Sequence, residues 1–110
     1  MVRRAARRRF VERMGGREAV FEFECLDFEA TERALNAYAV RFLATSARVR
    51  RHEHPGAEFV LVQSGRLGIT IAETEHVLDA GDAIYFEADQ PHGYRRHGMS
   101  ACEAVVVTTG

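Results

Sequence analysis

The run Arg51-His52-Glu53-His54-Pro55-Gly56-Ala57-Glu58 concentrates side chains that can bind a metal ion. His52 and His54 stand two apart, so on a β-strand both imidazoles point to the same face. Pro55-Gly56 can turn the chain. A strand, a turn and the start of the next strand can therefore bring Glu58 beside the two rings. Two imidazoles and a carboxylate are a common donor set for a divalent transition metal. Exposed strand ends also carry His pairs, and the pair by itself does not choose between the two readings.

The elements that would have to position these groups are short. Ala19–Leu26 alternates Phe21, Phe23 and Cys25 against Glu22 and Glu24, the pattern of a half-buried strand. Asp27 to Arg33 is polar and reads as a loop or short turn. Asn36–Ala44 reads as a second strand. Further runs follow at Val49–His54, Glu58–Gln63, Leu67–Ala72, His76–Leu78, Ala83–Phe86, His92–Arg95 and Cys102–Thr108. Pro55-Gly56, Ser64-Gly65, Ala80-Gly81-Asp82 and Gln90-Pro91 separate them as turns. Many short strands with almost no helical periodicity predict an all-β sandwich or barrel. Before Gly15-Gly16 the composition differs: Arg3 to Arg13 is Arg-rich and compatible with a helix turn or two.

The spacing extends beyond the first cluster. After His52 and His54 come three residues, Glu58, six residues and Gly65; Gly81 follows after fifteen more, and His92 lies eleven past Gly81. Here the sequence resembles the cupin family, whose first motif is G-x5-H-x-H-x3–4-E-x6-G and whose second is G-x5-P-x-G-x2-H-x3-N. The resemblance covers about residues 36–110. It implies a single antiparallel β-barrel of jelly-roll type over residues 18–110, preceded by a basic arm or linker at 1–17. It also implies that His52, His54, Glu58 and His92 face the barrel interior and hold one octahedral metal with two positions open. Iron, manganese, nickel, zinc and copper all suit such a set. Ser46, Glu87, Asp89 and Arg96 depart from the motif, at turn and rim positions rather than ligand positions. A cupin that retains the residues without using a metal is the alternative.

Other chemistry-bearing residues fall outside this set. His76 has Glu75 and Val77 as neighbours, and His97 lies five past His92 and so faces the other side of a regular strand. Both read as surface residues. Tyr85 and Phe86 read as barrel wall. Arg48 and Arg50 share strand parity with His52 and could grip a carboxylate ligand, although such residues more often stay wet at the rim.

The 110 residues amount to one domain, and 46% apolar content supports one core. No apolar stretch approaches the roughly 20 residues of a membrane span. All fifteen basic residues are Arg. Residues 1–17 carry seven Arg and one Glu, or +6, against −7 for the remainder, whose eight Arg face fifteen acidic residues. The arm could touch nucleic acid phosphates, or be a solvated tail. Cys25 and Cys102 make no disulfide framework, and without a visible targeting signal a reducing cytoplasm is the default.

The segments Glu53–Val60 and Gly81–Phe86, with Asp89-Gln90-Pro91-His92, look most like the C-terminal sensor domain of helix-turn-helix regulators. That implies a small-molecule-binding sensory module; a small metal-dependent dioxygenase, isomerase or decarboxylase is the alternative. A homodimer is expected, because a small barrel has edge strands that need cover; the Ala19–Leu26 strand could pack on or pair with a second subunit, or fold onto its own barrel.

Overall fold

The computed structural model describes residues 1–14, 18–27, 34–45 and 52–109. A 3-10 turn at Arg4–Ala6 leads into nine strands: β1 (Arg8–Met14), β2 (Glu18–Cys25), β3 (Leu35–Phe42), β4 (Ala57–Ser64), β5 (Arg66–Ile71), β6 (Thr74–Asp79), β7 (Ala83–Glu87), β8 (His92–His97) and β9 (Cys102–Thr109). They form a six-stranded sheet in the order β1-β2-β3-β9-β4-β7 and a three-stranded sheet in the order β6-β5-β8. Every pairing is antiparallel. This is the all-β, jelly-roll arrangement expected, with two facing sheets rather than one continuous hydrogen-bonded ring. An isolated antiparallel bridge joins His52 to His92.

Period-2 alternation builds the core. On β4, Glu58, Val60 and Val62 turn inward while Phe59 and Gln63 are exposed. Across the six-stranded sheet, Phe23, Val40, Ala104 and Val62 form one inward row, and Tyr38, Val106 and Val60 the next. From the facing sheet, Leu67, Ile69 and Leu78 close over them, with Leu67 and Ile69 fully buried. Each such aliphatic side chain contributes about 1.5–3 kcal/mol by leaving water. Gly65, at φ 76°, makes the tight β4–β5 connection, and a Cβ there would lie only 2.7 Å from the Ala101 carbonyl oxygen.

Three expectations need correction. The Arg-rich start is not a helix turn or two: apart from the 3-10 turn, residues 8–14 pair with β2, Phe10 opposite Phe23. The aromatic ring of Phe10 stacks on Phe23 at 5.3 Å, which fits a strand better than a solvated helix. The Ala19–Leu26 strand is not an edge awaiting a second subunit, because β1 and β3 flank it. Its Phe21 and Phe23 pack against the core of their own chain. Of the expected strand at Val49–His54, residues 49–51 lie outside the described residues, and His52 alone of the remainder pairs, as the bridge to His92.

Candidate metal centre

Glu58 enters the site from β4, where strand parity turns it inward beside Thr108 of β9 and Phe86 of β7. His92 opens β8 on the other sheet. It exchanges both backbone hydrogen bonds with His52: the His52 amide donates to the His92 carbonyl at 2.7 Å, and the reverse bond is 2.9 Å. His54 is anchored by its amide, which donates to the Ala88 carbonyl at 2.9 Å. Gly56, at φ 91°, turns the chain from His54 to Glu58, and any Cβ there would overlap the Thr109 backbone. The local turn foreseen at Pro55-Gly56 thus performs the expected task.

His54, Glu58 and His92 each offer a donor atom, and these atoms lie within 4.8 Å of one another. His54 Nε2 is 3.1 Å from Glu58 Oε1, and His92 Nε2 is 3.6 Å from the same oxygen. Both rings are set by carbonyls on their far side: Nδ1 of His54 is 3.1 Å from the Pro55 oxygen, and Nδ1 of His92 is 2.9 Å from the Gln90 oxygen. An Nδ1–H donated to a carbonyl leaves the lone pair on Nε2, the tautomer that a metal requires. His52 lines the same cavity, its ring centroid 6.4 Å from that of His92, and is not one of the converging three.

The electrostatics call for a cation. Glu58 is buried at 4% exposure, and its Oε2 is buried with no hydrogen-bond partner among the described residues. A buried carboxylate oxygen left so is costly unless a cation or proton meets it. Burial by itself lowers the His92 imidazole, but the Glu58 carboxylate and the Gln90 carbonyl outweigh it, and His92 lies above the usual value of 6.5. The donor set and the orphan oxygen therefore fit a divalent metal ion.

The three donors stand on the wall of a cavity of about 270 Å³ whose remaining lining includes Phe21, Phe23, Tyr38, Phe42, Tyr94 and Val106. Phe86 packs edge-on to His92 at 5.1 Å. Phe86 is thus the wall residue, whereas Tyr85, expected as wall too, is 67% exposed. The two stand on opposite faces of β7, and the register with β4 decides which of them faces His92. Arg48 and Arg50 lie outside the described residues, as does Ser46. His76 is exposed, and His97 sits 3.3 Å from Glu75 beside the Arg95–Glu75 ion pair, away from the cavity lining. Sequence reasoning passed over Tyr94 and Thr108; the parity of Tyr94 with His92 on one strand was the available signal for the first.

The Cupin_2 family, the cupin domain, matches residues 40–108. The chain belongs to the cupin family. No curated protein matches it. Among solved structures, this cupin is similar to Fe(II) HppE, at 18% identity and a TM-score of 0.83. The match covers 98% of this chain but only 59% of the other. A cupin-superfamily sugar phosphate isomerase from Silicibacter pomeroyi matches at 19% identity and a TM-score of 0.78, over 100% of this chain and 75% of that one. The Cupin_2 domain of an XRE family transcriptional regulator from Enterobacter cloacae matches at 17% identity and a TM-score of 0.73. There 83% of this chain covers 97% of the other. At these identities the likeness is one of fold.

Proposed function

We propose that this cupin holds one divalent transition metal ion and binds a small-molecule effector in its cavity, as a sensory module related to transcription regulators. The convergence of His54, Glu58 and His92 on an apolar cavity carries the reading. His52, on the same cavity wall with its ring centroid 6.4 Å from that of His92, would be the fourth ligand that the family motif implies. A bound ion would act as a Lewis acid and accept ligand oxygens at its open positions. The side chains of this chain would do the rest: the imidazoles held by Pro55 and Gln90 orient the donors, Glu58 supplies the negative charge, and the aromatic wall excludes water. The near-complete coverage of the regulator's cupin domain favours the sensory reading. Nucleic acid would then be met only indirectly or through residues 1–17, as a homodimer in the cytoplasm.

A second reading, a small metal-dependent enzyme, is favoured by one observation. Two His and one carboxylate with open positions suit iron(II) oxygen chemistry, and the fold likeness to Fe(II) HppE covers 98% of this chain.

Metal content measured after reconstitution of untagged protein tests the shared premise. One ion per chain is expected for the wild type, and most of it is lost in His54→Ala/His92→Ala but kept in His76→Ala and His97→Ala. Equal stoichiometry in wild type and the double variant would mean that the ion sits elsewhere. Affinity should weaken as pH falls into the imidazole range, because protons compete for the same Nε2 lone pairs.

A further inference from the structure

Tyr94 stands two residues past His92 on β8 and shares its inward face. It is 9% exposed and lines the cavity. Its hydroxyl is buried and has no hydrogen-bond partner among the described residues. Buried tyrosine hydroxyls ordinarily find one, because a hydroxyl cut off from water and left unbonded is destabilising. The surroundings offer rings: Phe42 lies 5.1 Å from Tyr94, Phe21 is 5.9 Å from Phe42, and Phe23 is 5.9 Å from Phe21. An aromatic wall thus runs from β2 through β3 to β8, with one unsatisfied hydroxyl set in it, on a ring whose centroid is 6.1 Å from that of His92.

We propose that the Tyr94 hydroxyl is the specificity-determining hydrogen bond for a small aromatic ligand that carries a hydroxyl or carbonyl oxygen, its ring packed against Phe21, Phe23 and Phe42. The class follows from the lining. Aromatic side chains favour an aromatic ring in offset or edge-on contact. The cavity volume, about 270 Å³, lies near the small end of small-molecule sites, which suits a single ring. A neutral hydroxyl that can donate or accept selects an oxygen substituent over bare hydrocarbon, since the hydrocarbon leaves the hydroxyl unpaired. The proposal rests on the cavity being a ligand site, but not on the metal.

The test titrates phenol and benzene into the full chain, metal-free and metal-loaded, for wild type and Tyr94→Phe. Wild type should prefer phenol by about tenfold. Tyr94→Phe should lose about tenfold in phenol affinity and keep its benzene affinity within about twofold. Retained benzene binding also shows that the variant is folded. Without ligand, Tyr94→Phe should melt no lower than wild type, because no bond is removed. Unchanged phenol affinity in Tyr94→Phe overturns the proposal, as does a ligand-free variant that melts several degrees lower, which reveals a structural partner for the hydroxyl. Failure of both probes to bind wild type overturns it as well. If wild type takes up no metal, the metal reading fails separately, and the metal-free titrations still decide the role of Tyr94.

Discussion

At the residue scale, burial decides which groups are chemically available. Cys102 is fully buried on β9, and burial pushes its thiol up to about 11. It is therefore protonated and shielded at neutral pH, whereas Cys25 is half-buried. A thiol reagent at pH 7.5 should label Cys25 first and reach Cys102 only after denaturation, and simultaneous labelling in the native protein would contradict the packing. Glu75 is the opposite case. The Arg95 guanidinium bonds its carboxylate at 2.7 Å and, against a smaller upward push from burial and with help from His97, holds it down at about 2. A carboxyl depressed in the folded state stabilises above its unfolded value and loses that contribution as pH falls through the folded value. The contribution should be full above about pH 4.5 and fade towards pH 2. Both side chains are partly exposed, so Glu75→Gln should cost only about 1 kcal/mol at pH 7 and flatten the acid limb of the stability curve. Urea denaturation at a series of pH values measures this.

At the element scale, turn geometry and pairing carry the site. The β5–β6 hairpin turns through Ala72-Glu73, with Ile71 opposite Thr74. Ala72 takes φ 54°, a left-handed conformation that strains a Cβ. Its amide still donates to the Pro91 carbonyl at 2.8 Å, next to His92. Ala72→Gly keeps that bond and removes the strain, so it should stabilise by about 0.5–1 kcal/mol in chemical denaturation. The result would differ in sign at Gly56, where the backbone of Thr109 leaves no room for a side chain. There a substitution should displace the turn between His54 and Glu58 and lower metal affinity.

At the scale of the whole molecule, the donors come from both sheets. Glu58 belongs to the six-stranded sheet and His92 to the three-stranded one, with His54 on the β3–β4 connection of the larger sheet. An ion bound by all three would tie the sheets together and bind the folded state alone. Free metal at a hundred times its Kd should then add about 2.7 kcal/mol. For a chain this size that raises Tm by roughly 10 °C. The shift should vanish on chelation and be absent in His54→Ala/His92→Ala. Light scattering decides the dimer. Both edges of β2 are already paired, so an observed dimer cannot form by adding a strand to β2.

The sequence alone was enough for what is local. The two-residue spacing of His52 and His54, the Pro55-Gly56 turn and the alternation of β4 set side-chain direction within a few residues, because strand parity is a property of the backbone itself. The cupin spacing linked that segment to Gly81 and His92 across the chain. What only the tertiary structure decided is non-local. Pairing of β1 with β2 overrode the helical reading of the Arg-rich start, since a strand's hydrogen-bond partner lies outside its own residues. Whether Tyr85 or Phe86 faces His92 depended on the register with β4, and a slip of one residue would have exchanged them. The approach of His54 and His92 to one Glu58 oxygen, and the gathering of Tyr94 with rings from β2 and β3 around one cavity, depended on how two sheets pack. Such packing is the joint outcome of side chains far apart in the chain, and no single segment encodes it.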